Sequence, residues 1–399
     1  MRGIICKLII FCWATASVLC AAKNIGEAIR SGNQQLALVL ESQDPALLQL
    51  ANRAFALHGG LRLVAEQQAQ YRAQFVWVSE KTLRISLLDL QDARSWDPRI
   101  IQASSKQAAI LKGCDYVVES LFRRPGFFAG QLAFVVKKSA TSEVYTSDLL
   151  FSQVRPVTAD RALVVSPTWQ PDGRGLLYTT YFKSGFPDIY HLDLGRRVRQ
   201  VFAAYKGTNS GAAYSPNGEF VAMSLSSRSG SDLYVSDAKG KNIRRVTDGK
   251  SLETSPDWSP DGRQLVFESD RAGRPQLYRL NVSGGTPQRI ATKVSSYCSE
   301  PSWNPIHSNL IAFTVAISGG FQIAVHDLKT GRSEVLTQER DAAVEPEWLN
   351  DGRHLVMTIR RAGQTRLALL DTWSQKVVAL HSSKLGAASA AAFVYSVDE

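Results

Sequence analysis

The sequence predicts a small α/β N-terminal domain followed by an all-β domain, a six-bladed β-propeller closed by the C-terminal strand. Three observations predict it. An aromatic residue recurs at spacings of 45, 44, 45 and 45 residues, turn residues such as Pro-Asp-Gly follow these aromatics, and one half of the repeat occurs upstream without the other. Short strands and turn residues repeating at such a period are typical of propeller blades.

The first 22 residues have the pattern of a signal peptide. Arg2 and Lys7 form a basic region, and the apolar stretch from Leu8 to Leu19 is too short to span a bilayer as a helix. Cleavage is therefore expected before Lys23. A lipoprotein processed at Cys20 is an alternative, which is disfavoured because Leu19 stands where a small residue should precede a lipidated cysteine.

Residues 23–124 are expected to form the small α/β domain. Residues 35–41, 61–66, 75–78 and 83–90 predict strands. Asp44 can cap a helix over residues 45–58, and apolar residues at helical spacing predict a second helix over residues 106–122. The sequence Arg-Arg-Pro-Gly at residues 123–126 marks the expected domain boundary.

Residues 125–399 carry the repeat. Its aromatic position is occupied by Trp169, Tyr214, Trp258, Trp303 and Trp348. Each turn is followed by two β-patterned runs, the first of them at residues 176–180, 220–225, 265–268, 310–315 and 354–359. Because the aromatics occupy identical positions in the repeat, we expect them to pack between blades.

The half-repeats predict how the ring closes. The second half of the motif occurs once more at residues 132–149, but no first half precedes it. Counting 45 residues onward from Trp348 leads to Phe393, near the C-terminus. The tail is therefore expected to supply the missing strand of the first blade, which would leave no open sheet edge.

Charge and cysteine content exclude several classes of function. The full chain has a formal net charge of +10, but its basic clusters are scattered and lack interleaved aromatics, so nucleic acid is not an expected partner. Once the signal peptide is removed, Cys114 and Cys298 remain, which does not indicate a disulfide framework. No later apolar run approaches 18 residues, so the mature chain is not expected to span a membrane.

No catalytic or metal-binding pattern was found in the sequence. It lacks Gly-x-Ser-x-Gly, His-Glu-x-x-His, Cys-x-x-Cys and phosphate-binding Gly-x-x-x-x-Gly-Lys motifs, and its six histidines are dispersed. We therefore expect no enzyme activity and no cofactor. Acids recur a few residues before the aromatics, at Glu253, Glu300 and Glu345. They could ring a cation, although solvated channel lining is the favoured interpretation.

Several motifs resemble the TolB family, the periplasmic propeller proteins of the bacterial Tol-Pal system. The resemblance covers roughly residues 130–399 and is most specific in Val246-Thr247-Asp248-Gly249, Trp258-Ser259-Pro260-Asp261-Gly262, Ala272-Gly273-Arg274-Pro275-Gln276-Leu277-Tyr278 and Gly284-Gly285-Thr286-Pro287-Gln288-Arg289-Ile290. It implies a periplasmic monomer that binds the peptidoglycan-associated lipoprotein Pal through its propeller and acts during cell constriction.

The resemblance also implies a contact with TolA through the extreme N-terminal segment. This sequence departs from the family there, because residues 23–34 include Gly26 and Gly32 and show little alternation.

Strand direction predicts where a partner would dock. In a four-stranded antiparallel blade, the start of the first strand, the end of the second, the start of the third and the end of the fourth lie on one face of the ring, which we call the partner face. The Pro-Asp-Gly turns and the hairpins that join third to fourth strands lie on the opposite face, the turn face. The residues expected on the partner face are Lys183, Thr208, Asn209, Gly211, Arg228, Glu253, Thr254, Asp270, Arg271, Arg274, Glu300, Glu345, Arg360 and Arg361. The resemblance places the Pal contact on this face, with Thr208 to Gly211 and Thr254 at contact positions.

An alternative function belongs to a different class. An exported propeller could bind or cleave a small ligand, such as a glycan, in its central channel. Acids clustered in the channel would favour this alternative, whereas a rim of mixed polar and apolar residues would favour protein docking.

Export is the first testable prediction. Because the basic region and the short apolar core direct secretion and cleavage, protein recovered from the cell envelope should begin near Lys23. Intact-mass measurement tests this, and an uncleaved chain found in the cytoplasm would overturn it.

Overall fold

The computed structural model describes residues 35–183, 185–226, 230–340 and 342–396 of the 399-residue chain. The predicted signal peptide over residues 1–22, the segment 23–34 and Arg228 lie outside the described residues. No helix in the described part of the chain is both long enough and apolar enough to cross a membrane.

The N-terminal region is an α/β unit built on a five-stranded sheet. Its strands are β1 (Leu36–Glu41), β2 (Leu61–Leu63), β3 (Tyr71–Ser79), β4 (Thr82–Asp89) and β5 (Arg99–Gln102), in the order β2-β1-β3-β4-β5. Strand β1 is parallel to both neighbours, whereas β3, β4 and β5 are antiparallel. Strand β5 was not predicted, and β2 ends earlier than expected, before a short 3₁₀-helix at Glu66–Gln68.

Two helices pack against this sheet. Helix α1 (Pro45–Leu57) begins at Asp44, whose Oδ1 accepts the backbone N–H groups of Ala46 and Leu47, so the predicted cap is confirmed. Helix α2 spans Lys106–Phe122, as predicted, and Ser105 caps it. Arg123 follows in the left-handed conformation, with φ of 54°.

The rest of the chain forms short antiparallel strands in sequential groups. These are β6 (Gln131–Lys138), β7 (Thr141–Asp148), β8 (Arg155–Pro156); β9 (Val164–Trp169), β10 (Gly175–Thr180), β11 (Asp188–Asp193), β12 (Val198–Ala203); β13 (Asn209–Tyr214), β14 (Phe220–Ser226), β15 (Ser231–Asp237), β16 (Arg244–Arg245); β17 (Glu253–Trp258), β18 (Gln264–Ser269), β19 (Gln276–Asn281), β20 (Gln288–Arg289); β21 (Cys298–Trp303), β22 (Leu310–Ile317), β23 (Gly320–Asp327), β24 (Arg332–Val335); β25 (Ala342–Trp348), β26 (His354–Arg361), β27 (Gln364–Asp371), β28 (Lys376–Ala379); and β29 (Ala387–Val394).

These groups form a β-propeller, as predicted, but not six separate four-stranded sheets. The described residues contain four such sheets: β29-β6-β7-β8, β9 to β12, β13 to β16 and β17 to β20. The remaining two groups, β21 to β24 and β25 to β28, share one eight-stranded sheet. The physical reason is a single parallel backbone pairing between Phe321 and Ala342, which joins β23 to β25.

Each inner strand is interrupted at the same place by a β-bulge. The pairing with the second strand shifts register there, between Thr254 and Asp257 in β17 for example. One residue at every bulge has a left-handed backbone with φ between 50° and 62°: Ser166, Gly211, Ser255, Glu300, Glu345 and Ala390. Non-glycine residues adopt this conformation at a cost, so the surrounding contacts must hold it.

The repeated aromatics lie between neighbouring sheets. Trp169, Trp258 and Trp348 are each at most 5 % exposed. Their indole Nε1–H groups donate to a backbone carbonyl in the preceding group of strands: Ala392, Ala213 and Ser302 in turn. For Trp348 that group belongs to the same eight-stranded sheet. Trp303 instead donates to Ser308 within its own turn. The indoles of Trp169 and Trp258 therefore join sheets by hydrogen bonds as well as by apolar contact.

The C-terminal strand β29 pairs antiparallel with β6, near the start of the β-rich region. Phe393 stands opposite Leu132, the register position at which Trp169 stands opposite Leu176 and Trp348 opposite Leu355. Tyr395 continues the tail and donates its hydroxyl to Asp115 of α2 at 2.9 Å. The tail thus contacts both regions of the chain.

A buried polar cluster links the N-terminal region to strands β26 and β27. The Arg353 guanidinium donates to both carboxylate oxygens of Asp371, at 2.8 and 2.6 Å, and both side chains are buried. Its cation lies 4.3 Å from the centre of the Trp373 ring. The His58 ring, just after α1, packs 4.9 Å from the His354 ring. The two regions therefore share one continuous core.

Removing the C-terminal strand should destabilise the protein strongly. Deletion of residues 386–399 leaves β6 as an unpaired edge and removes Phe393 and the Tyr395 hydrogen bond. The expected loss is about 3–5 kcal/mol of unfolding free energy, as for large core truncations. Chemical denaturation tests it, with deletion of residues 397–399 as the control, and an unchanged midpoint in the longer deletion would refute the role given to β29.

Candidate functional site

The strand pairings place the predicted partner residues at one end of the blades. Thr208 precedes β13, and its carbonyl accepts the N–H of Ser226 at the end of β14. Thr254 pairs with Glu268 in the corresponding hairpin of β17 and β18. Thr208 is exposed and Thr254 is half-buried.

Two of the predicted partner residues are fully buried. The Asn209 amide group donates to the carbonyls of Tyr205 and Pro187 and accepts the N–H of Tyr205, so it holds the loop before β13. The Glu253 carboxylate forms an ion pair with Arg271 and accepts the Ser251 hydroxyl. Both side chains are buried, and their polar groups bond to the local backbone or to a neighbouring side chain. They are therefore not available to a partner.

Gly211 lies beside the residues that follow Thr254, although the two segments belong to different sheets. A Cβ atom on Gly211 would lie 3.5 Å from Pro256 and 3.6 Å from the backbone nitrogen of Ser255. The backbone of Gly211 also has φ of 62°, which disfavours any larger residue. The segment around Gly211 therefore packs beside the residues that follow Thr254 in β17.

Asp270 and Arg274 lie in the hairpin between β18 and β19, on the same face. Asp270 accepts the N–H of Leu252 at 2.8 Å and so ties this hairpin to the start of β17. Arg274 is exposed and donates to Ser296 Oγ at 3.2 Å, which links it to the loop before β21. Of these two residues, Arg274 has the more accessible charge.

Glu300 and Glu345 face the central channel and bond to the next group of strands, which for Glu300 lies in the same eight-stranded sheet. The Glu300 carboxylate accepts the Thr314 hydroxyl at 2.6 Å and the backbone N–H of Glu345 at 2.9 Å. The Glu345 carboxylate repeats the pattern with the Thr358 hydroxyl and the N–H of Ala390. These bonds hold the left-handed residues in place, which the sequence alone did not indicate.

Two further acids, which the sequence analysis missed, lie deeper in the channel. Asp257 accepts the N–H of Trp303 at 2.6 Å, and Glu347 lies within reach of the Ser302 hydroxyl, at 3.5 Å. Each acid immediately precedes a repeated aromatic, so that position in the repeat was the available signal. The channel contains a cavity of about 200 Å³ at the bulges and one of about 320 Å³ beside the aromatics.

The channel environment disfavours negative charge. Burial together with the nearby Glu345 raises the pKa of Glu300. Burial also raises the pKa of Glu268, which accepts the backbone N–H of Glu300, to about 7. Burial also raises the pKa of Asp257, while burial and the charge of Asp257 raise that of Glu347. Some of these carboxyl groups are therefore protonated near neutral pH.

The arrangement is suited to holding sheets together more than to coordinating an ion. Among the described residues, no group of three or more His, Cys, Asp or Glu side chains is placed to hold a metal. The oxygens of Glu300 and Glu345 are already used by hydroxyl and backbone donors. The accessible part of the partner face is instead a mixture of polar, charged and small residues.

Comparison with known proteins identifies the β-rich region. A family described as the TolB beta propeller domain matches residues 118–392. The Tol-Pal system protein TolB of Bordetella pertussis is 33% identical over 172 residues, which are 43% of this chain and 39% of that relative, and the Bordetella parapertussis protein gives the same values. The chain thus spans 39% of the length of these curated relatives.

Solved structures show the same fold. TolB from Acinetobacter baumannii superposes with a TM-score of 0.81 at 22% identity, covering 91% of this chain and 97% of that one. Hydrazine synthase of Kuenenia stuttgartiensis superposes with a TM-score of 0.55 at 15% identity, covering 67% of this chain and 46% of that one. At these identities the likeness concerns the fold alone.

The channel acids predict a pH dependence of stability. Their folded pKa values exceed the ordinary ones, so the folded chain binds protons that the unfolded chain releases. This stabilisation is fully present below the unfolded pKa values and falls as the pH rises towards and through the folded ones.

Glu347→Gln should therefore flatten the stability profile, because it removes one charge from the Asp257 and Glu347 pair. Thermal unfolding at about pH 5 and pH 8 tests this, and the variant should gain Tm over the wild type mainly at pH 8. The exposed Glu80→Gln is the matched control. If Tm changes with pH equally in the wild type and in Glu347→Gln, the Asp257 and Glu347 pair does not titrate as described.

Proposed function

This chain belongs to the TolB β-propeller family, and from that premise we propose that it is a periplasmic docking component of the Tol-Pal system. In this role it binds a Pal-type peptidoglycan-associated lipoprotein through the partner face. It thereby links inner-membrane Tol proteins to outer-membrane integrity and cell division. It acts as a monomer and by binding, without catalysis.

The observation that carries the proposal is the contact between two segments on neighbouring sheets at the channel mouth. A Cβ atom on Gly211 would lie 3.5 Å from Pro256 and 3.6 Å from the backbone nitrogen of Ser255, which follow Thr254 in β17. The exposed Thr208 precedes Gly211 by three residues. Small residues without charge at the centre, with Arg274 and Asp270 around them, match the composition of a protein interface with a polar rim.

The burial of two predicted residues refines the proposed interface. Asn209 and Glu253 hold neighbouring segments in position without contacting a partner. Asn209 fixes the loop before β13, and Glu253 pairs with Arg271. The residues that reach a partner are then Thr208, Gly211, Thr254, Asp270 and Arg274, with Glu300 and Glu345 lining the channel mouth. Such interfaces usually depend on a few central residues.

We propose six blades and a ring closed by the tail. Counting β21 to β24 and β25 to β28 as two blades, despite their shared sheet, gives six repeats of one pattern. The equivalent positions of Phe393 and of the left-handed Ala390 support including β29 as the inner strand of the first blade. The domain boundaries proposed are residues 23–124 and 125–399, with the signal peptide over residues 1–22.

A contact with TolA is proposed through the N-terminal segment. Residues 23–34, which would make it, lie outside the described residues. This part of the proposal rests on family membership alone.

The alternative is a propeller that binds or cleaves a small ligand or glycan in its channel. Acids do cluster there, at Asp257, Glu300, Glu345 and Glu347, and this observation favours the alternative. Asp257, Glu300 and Glu345 already accept backbone N–H groups of the next group of strands, which favours docking instead, since a ligand would have to compete with those bonds.

The Thr254→Arg variant tests the docking surface. A long charged side chain at the centre of the interface should weaken binding of a soluble Pal-type domain at least tenfold, or about 1.4 kcal/mol, with little change in Tm. Calorimetric titration measures the affinity. Thr330→Arg, an exposed substitution of the same type in a hairpin on the turn face, is the matched control.

Undiminished affinity in Thr254→Arg combined with weakened binding in Thr330→Arg would place the interface on the turn face. Absence of any binding by the wild-type chain to the Pal-type domain would contradict the proposed function itself.

A further inference from the structure

A cavity outside the channel has the features of an anion site. It lies between the β26–β27 hairpin and the link from β28 to β29, and its volume is about 580 Å³. Cavities of roughly 300–1,000 Å³ hold small organic ligands in proteins. Its polar lining includes Arg361, Arg366, Ser382 and Ser383, and no acidic residue among those described lines it.

The register of the hairpin places both arginines on the cavity side. Arg361 pairs with Gln364, and Ile359 pairs with Arg366. Because alternate residues of a strand and directly opposed residues share a face, Ile359, Arg361 and Arg366 all project from the same side. Arg360 projects from the other side, where it pairs with Glu345 at 3.3 Å.

In the described part of the chain, no acidic side chain forms an ion pair with Arg361 or Arg366. Both are exposed, and neither forms an ion pair with a described residue, in contrast to Arg360. They are diagonal neighbours across two strands, a spacing at which like charges repel. An anion bound between them would remove that repulsion.

A neutral histidine forms the opposite wall of the cavity. His381 Nε2 accepts the N–H of Leu367 at 3.0 Å, and Nδ1 lies 2.9 Å from the Ser382 carbonyl, to which it donates. Burial lowers the pKa of His381, which agrees with a neutral ring. The ring therefore holds the Ser382 segment in position and adds no negative charge to the cavity.

We propose that this cavity binds a small organic anion whose phosphate or carboxylate group lies between Arg361 and Arg366. The guanidinium fork suits either group, because both can accept two parallel N–H bonds. The Ser382 and Ser383 hydroxyls supply further donors, and Ile359 and Ala387 contact the apolar part of the ligand. This site is separate from the segments around Gly211 and Thr254.

Titration of the full mature chain with phenyl phosphate, benzoate and inorganic phosphate tests the proposal. At least one probe should bind saturably at one site, and comparing phenyl phosphate with benzoate distinguishes a phosphate from a carboxylate ligand. The affinity should fall at least about tenfold in Arg361→Gln and in Arg366→Gln, because each removes a charge-assisted bond. Arg332→Gln, an exposed strand arginine outside the cavity, should bind as the wild type does.

A second readout uses the His381 ring. Its NMR signals should shift on addition of the probe to the wild type and to Arg332→Gln, but not to the double variant lacking Arg361 and Arg366. The proposal is overturned if no probe binds saturably to the wild type, or if binding persists unchanged in the double variant.

Discussion

The bulge in each inner strand is the constraint on which the rest of the propeller depends. A left-handed residue at this point shifts the register, so the strand can bend towards the channel while the following aromatic still packs between sheets. The conformation is unfavourable for Glu345 and Ala390, and their backbone N–H groups donate to carboxylates of the preceding group of strands, Glu300 and Glu345 respectively. These contacts between groups of strands offset the local strain.

The acids of the channel have raised pKa values despite these contacts. The N–H groups that Asp257 and Glu300 accept lower their pKa values, but burial in the channel wall disfavours the charge and raises them more. The proposed docking surface and the channel then have different tasks. Thr208 is exposed and Thr254 is half-buried, so both are accessible at the surface. Asp257 bonds to Trp303 of the next sheet, and Glu347 lies near Ser302 of its own sheet.

The sequence predicted those features that depend on local patterns. Asp44 and residues 106–122 predicted the helices, and the spacing that leads to Phe393 predicted a strand where β29 pairs with β6. Strand β5 was not predicted, because it is only four residues long and its side chains are mostly exposed. The burial of Asn209 and Glu253 could not be predicted, because it depends on folded loops and on Arg271. Asp257 and Glu347 were missed because a bulge changes which residues face inward, and no alternation pattern reveals that shift.

Hydrogen exchange of the full chain with and without a soluble Pal-type domain tests the central claim, docking through the partner face, most directly. The account predicts slower exchange on binding in residues 207–211, 252–255 and 270–274, and unchanged exchange in the turns at residues 171–174 and 260–263. Protection confined to those turns, with no change in the first three segments, would contradict it.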